Sequence, residues 1–110
     1  MSVRDAIEAE HRRIADQIVD LRQSFAGIVD AAELTSTDDE HDPEGATIAY
    51  ERAQVFALLR RAEKDLASLD LALELVENGT AQICEACGGP IALERLLALP
   101  TTRLCIRCAS

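Results

Sequence analysis

Residues 84–108 read CEACGGPIALERLLALPTTRLCIRC and hold all four cysteines of the 110-residue chain. The pattern is a C-x2-C pair at Cys84 and Cys87, seventeen residues, then a second pair at Cys105 and Cys108. Two residues between thiolates let both sulfurs of a tight turn face one metal about 2.3 Å away, and two such turns complete a tetrahedron. Gly88 and Gly89 follow the first pair and give the backbone the freedom that such a turn needs. The spacing predicts one structural Zn2+ held by Cys84, Cys87, Cys105 and Cys108. An iron site, a pair of disulfides and a redox-active thiol set are the other readings of the same residues. Four thiolates fill the coordination sphere, whereas catalytic zinc keeps a position open for water or substrate. The last 31 residues (80–110) are too few to bury an adequate core alone. Structural zinc supplies roughly 10–16 kcal/mol in finger peptides near neutral pH.

Between the pairs, Ile91 to Leu99 reads as a short helix or apolar turn closed by Pro100. Upstream, Asn78-Gly79 is a helix stop, because glycine takes the left-handed conformation that ends helices. Before that stop, Ile48, Val55, Ala62, Leu69 and Val76 recur every seven residues, interleaved with Leu59, Leu66 and Leu73. The N-terminal segment repeats the pattern with Ile7, Ile14, Leu21 and Ile28, interleaved with His11, Ile18 and Phe25. These are two heptad seams, and joined by a short polar stretch they can bury each other as an antiparallel hairpin. Each helix would be on the order of 40–45 Å long. Leu58, Leu71 and Leu75 widen the second stripe for packing on the C-terminal module or on a partner. His11 is read as a hydrogen-bonded core or boundary residue of the seam. Asp42-Pro43-Glu44 starts the second helix with a capping carboxylate, proline in the first turn and an acid behind it.

The fold expected is therefore mostly α: a long antiparallel two-helix coiled-coil hairpin over residues 1–79, with a tip loop around 34–46, then a small four-cysteine zinc finger over 80–110. Ala, Leu, Glu, Arg and Lys make 54 of the 110 residues, the bias of long helices, and aromatics are 3%. Net charge is −9, and residues 31–47 hold six acids with no Lys or Arg. A solvated turn accommodates such acids, yet six crowded at one end of a rod repel one another, which raises a recognition role for them. His41 lies among them and is read as a bystander. An acidic chain without a basic stripe is a poor candidate for direct binding to DNA, and Arg95, Arg103 and Arg107 come with no aromatic platform. There is no apolar run near the 20 residues of a membrane span, and charged residues stand where a signal peptide needs an apolar stretch. A cytoplasmic location without membrane contact follows as the expectation. Phosphate-binding loops, nucleophile elbows and clustered catalytic groups are missing, so the expected protein is not an enzyme.

The stretch from Cys84-Glu-Ala-Cys87-Gly88 through Ile91-Ala-Leu-Glu-Arg-Leu, with Leu-Pro100-Thr101-Thr-Arg-Leu104-Cys105-Ile-Arg-Cys108, resembles the zinc finger of the DksA/TraR family. The preceding hairpin with its acidic bend is similar to that family's architecture over nearly the whole chain. The resemblance implies a transcription regulator that binds core RNA polymerase in its secondary channel. The coiled-coil tip would point toward the active site, with the finger at the base. The family's tip pattern, Asp-x-x-Asp-x-Ala, falls on His41-Asp-Pro-Glu44-Gly-Ala46 in one frame and begins Asp39-Glu-His-Asp42 in another. The tip residues implied are Asp39, Asp42, Glu44 and Ala46. Arg61 falls where the family has an Arg, but most other positions associated with alarmone contact are not basic, with Ser68, Leu99 and Ala109 standing there, so a ppGpp response is not expected. The competing expectation is a zinc-stabilised interaction module that binds another protein through its apolar helix face or Leu-rich finger.

Overall fold

A computed structural model describes residues 1–34 and 43–109, with side chains over 1–31 and 45–109. The chain is mostly helical: α1 spans Val3–Leu34, α2 spans Pro43–Glu77 and the short α3 spans Leu93–Ala98. Among the described residues there is no strand beyond an isolated antiparallel bridge between Ile83 and Pro90. Helices of 32 and 35 residues are about 48 and 52 Å long at 1.5 Å per residue.

The helix ends follow from local chemistry. The Asp5 N–H donates to the Ser2 hydroxyl at 3.1 Å, and the Ser2 N–H returns to the Asp5 carboxylate at 3.3 Å. This reciprocal cap satisfies two donors that the first turn leaves unpaired. The Ser2 backbone N–H holds the Asp5 carboxyl below the usual carboxylate range. At the other boundary Pro43 opens α2, as its fixed φ and missing N–H favour. Gly79, at φ +76°, ends it. The Thr80 N–H reaches the Leu75 carbonyl at 2.9 Å and the Gly79 N–H reaches Val76 at 3.1 Å, the paired bonds of a Schellman stop.

The chain forms two compact units. One comprises residues 1–14 with 65–110, the other residues 15–64. In the first, Val3, Ala6, Ile7 and Ile14 of α1 and Leu69 and Ala72 of α2 are buried, together with Cys84, Ile91, Leu96 and Cys105. The early turns of α1, the late turns of α2 and the cysteine-bearing segment thus share one core. Leu71 and Leu75 line one small crevice with Leu96 and Pro100, so this part of the widened α2 stripe faces the C-terminal module. His11 is half-buried in the seam, and its Nε2 lies 2.9 Å from Asp70 Oδ1. Of the hydrogen-bonded core and boundary roles expected for it, the boundary one is observed.

In the second unit, Ile18 and Ala62 are buried, while Leu21, Phe25, Ile28, Ile48, Val55 and Leu59 are half-buried. The Phe25 and Phe56 rings meet with centroids 6.2 Å apart, and the Arg60 guanidinium lies 5.9 Å from the Phe56 centroid. Arg22 pairs with Glu63 at 3.7 Å. Leu58, off the seam, is 47% exposed.

Seam and non-seam leucines should therefore differ in urea unfolding. Leu69→Ala empties a fully buried site and should cost about 2–5 kcal/mol. Leu58→Ala should change stability by no more than about 0.5 kcal/mol. Equal effects would contradict the seam.

Candidate metal centre

The four cysteines sit on two tight turns. In the first, the Gly88 N–H donates to the Cys84 carbonyl at 2.9 Å and the Cys84 N–H to the Gly89 carbonyl at 2.8 Å. Gly88 has φ +72°, where a side chain would be strained. The Gly89 N–H points to Cys87 Sγ at 3.4 Å, and a Cβ on Gly89 would come within 3.3 Å of that sulfur. The two glycines thus serve different needs: one the turn, the other the close approach of an amide to sulfur. In the second turn, the N–H groups of Cys108 and Ala109 both reach the Cys105 carbonyl, at 3.1 and 3.0 Å.

Two links hold these turns together. The Glu85 N–H donates to the Arg103 carbonyl at 3.0 Å, and the Arg103 Nε pairs with the Glu85 carboxylate at 3.2 Å. At the foot of the first turn, the Ile91 N–H reaches the Gln82 carbonyl at 2.8 Å beside the Ile83–Pro90 bridge. As a result the four sulfurs lie within 4.8 Å of one another, with Cys87 Sγ and Cys105 Sγ 3.7 Å apart. A tetrahedral zinc with 2.3 Å bonds to sulfur separates its ligands by about 3.8 Å. The donor set fits one such ion.

Electrostatics agrees with that fit. Backbone N–H groups, Cys105 first and Cys87 next, aim at Cys84 and lower its thiol to about 6. The Cys108 N–H similarly lowers Cys105. Contacts with the sulfurs of Cys105, Cys87 and Cys84 push Cys108 up to about 12, so a proton remains where thiolates crowd. A dication supplies the positive charge that lets all four ionise. Cys84 and Cys105 are buried, Cys108 is half-buried and Cys87 is exposed. With four thiolates converging, no position is left for an activated water.

Of the expected tip residues, Asp39 and Asp42 lie outside the described residues, as does His41, and the Glu44 side chain lies outside the described side chains. Ala46 is exposed in the early turns of α2. Arg103 and Arg95, considered above for nucleic acid, are engaged within the chain: Arg103 with Glu85, and Arg95 with the Leu104 carbonyl and the Thr102 hydroxyl. The Arg95 contact was not evident from the sequence, where the residue carries only its charge.

Comparison with known proteins follows the same division. Residues 79–110 match the family model of the prokaryotic dksA/traR C4-type zinc finger. An uncharacterized Bacillus subtilis protein, YteA, is 42% identical over 66 residues, which are 60% of this chain and 28% of that protein. An uncharacterized Aquifex aeolicus protein is 52% identical over 44 residues, 40% of this chain and 30% of its own length. Bacillus subtilis YlyA, also uncharacterized, is 40% identical over 55 residues, half of this chain and 44% of its own. The matched regions thus span less than half the length of these relatives. The structure of transcription factor DksA2 from Pseudomonas aeruginosa superposes with a TM-score of 0.82 at 27% identity, over 97% of this chain and 77% of that one. Residues 79–110 are thus similar to the prokaryotic dksA/traR C4-type zinc finger, and the fold with its two long helices is similar to that of DksA2.

Proposed function

We propose that the chain is a non-enzymatic, cytoplasmic transcription regulator that binds core RNA polymerase in its secondary channel. The likeness to transcription factor DksA2 over 97% of the chain carries the reading, and the finger in residues 79–110 supports it. In this reading the hairpin of residues 1–79 is the lever that enters the channel. Asp39, Asp42, Glu44 and Ala46 form its tip, directed at the polymerase active site. The finger of residues 80–110 stays at the base, with Cys84, Cys87, Cys105 and Cys108 as the ligands of one structural Zn2+. The net charge of −9 suits a basic channel rather than a nucleic-acid backbone. A closed thiolate set suits a metal that holds a fold rather than one that turns over substrate. No helix among the described residues is long and apolar enough to cross a membrane.

Tests of the metal and of the partner are separate. Metal analysis of the purified chain should give one Zn2+ per molecule. Chelation should remove hydrogen-exchange protection from the amides of Cys84, Gly88 and Ile91. Serine at Cys84 should abolish stoichiometric zinc, and full retention would exclude that ligand. Separately, the zinc-loaded chain should co-elute with core RNA polymerase and be displaced by a known secondary-channel factor. Asp42→Asn with Glu44→Gln should leave that binding nearly intact while removing the effect on transcription. Binding without displacement would move the contact elsewhere on the enzyme. Absence of binding at micromolar concentration would favour an interaction module with a different protein partner.

A further inference from the structure

Arg95 takes no part in the sulfur cluster, yet its side chain reaches into the turn that delivers the second cysteine pair. It projects from α3, whose neighbouring residue Leu96 is 1% exposed and fixes the helix in the core. The Leu99 N–H closes the end of that helix on the Arg95 carbonyl at 2.8 Å. From this fixed base the Arg95 Nε donates to the Leu104 carbonyl at 3.0 Å, and Nη2 donates to the Thr102 hydroxyl at 3.4 Å. Thr102 Oγ1 in turn donates to the same Leu104 carbonyl at 3.3 Å. Two donors therefore converge on one oxygen, and that oxygen belongs to the peptide joining Leu104 to Cys105.

The other end of this peptide is the N–H of Cys105, whose sulfur lies 3.7 Å from that of Cys87. A guanidinium on the carbonyl oxygen polarises the whole peptide and strengthens the N–H as a donor. The same contact fixes the plane of the peptide, and with it the direction in which the Cys105 side chain leaves the backbone. Groups that orient ligands in this way are part of a metal site as much as the ligands are.

We propose that Arg95 is a positioning residue for the metal: with the Thr102 hydroxyl, its guanidinium fixes the Leu104–Cys105 peptide so that Cys105 meets the ion together with Cys84 and Cys87. The planar fork is essential to this role. A lysine at this position presents a point charge and cannot satisfy the carbonyl and the hydroxyl in the same geometry. Arg103 provides the contrast. It carries the same charge two residues before Cys105, but its side chain pairs with the Glu85 carboxylate in an exposed ion pair, the kind that contributes about 0–1 kcal/mol.

The experiment uses the full-length chain, stripped of metal and titrated with Zn2+ against a chromogenic chelator, and titrated separately with Co2+. Arg95→Gln should lower zinc affinity by about 10–100-fold. It should also alter the visible thiolate–Co2+ absorption and leave the far-ultraviolet signal of the long helices in place. Arg103→Gln should change affinity by less than about twofold, consistent with an exposed ion pair. A loss for Arg95→Gln smaller than tenfold, one matched by Arg103→Gln, or a Co2+ spectrum identical to the parent's overturns the proposal. Should Arg95→Gln fail to fold, Arg95→Lys decides, because it keeps both stem and charge. Parental affinity in that variant overturns the role of the fork, and weakened affinity with an altered Co2+ spectrum supports it.

Discussion

The convergence of four sulfurs within 4.8 Å is the constraint on which the C-terminal part of this chain depends. Thiols crowded so closely cannot all lose their protons without a compensating positive charge, and the high-lying Cys108 thiol expresses that conflict. Every nearby feature serves to bring the sulfurs together despite it: a glycine at positive φ, amides aimed at sulfur, and a backbone link between the two turns. Cys84 and Cys105 are buried in the same core as Leu69 and Ile7. Metal binding and helix packing are consequently parts of one folding event in that unit, in the way small metal-bearing domains generally couple the two.

Much of this could be read from the sequence because the signals were short-range. Two C-x2-C pairs specify turns, and a seven-residue repeat specifies which face of a helix is covered. The seam residues from Ile7 to Val76 are buried or half-buried, whereas Leu58 and Leu71 are among the exposed large apolar residues. Asn78-Gly79 stopped α2 for the physical reason expected of it. What the sequence did not disclose depends on tertiary placement. Nothing in the string distinguishes Arg95 from Arg103, yet one reaches a carbonyl next to a cysteine and the other an exposed carboxylate. That difference exists only once α3 has docked.

Likeness to known proteins is uneven along the chain in the same way. The family model matches residues 79–110 alone, while the match to DksA2 extends over 97% of this chain at 27% identity. A heptad seam explains this, since many aliphatic combinations satisfy the same burial. A knuckle that must present sulfur, glycine and an amide within hydrogen-bond distance tolerates far fewer.

The contact between Phe25 and Phe56 has a consequence for alignment. Aliphatic side chains repeated every seven residues are nearly interchangeable, so a seam built from them alone would pack almost as well after one helix slid past the other by a repeat. The chain has two phenylalanines, and they touch each other. A slip of seven residues would carry one ring about 10 Å past the other. It would also break the contact between Phe25, half-buried in the seam, and Phe56, which is 49% exposed beside it. Together with the Arg22–Glu63 pair, this contact favours one alignment of the two helices over its near-duplicates.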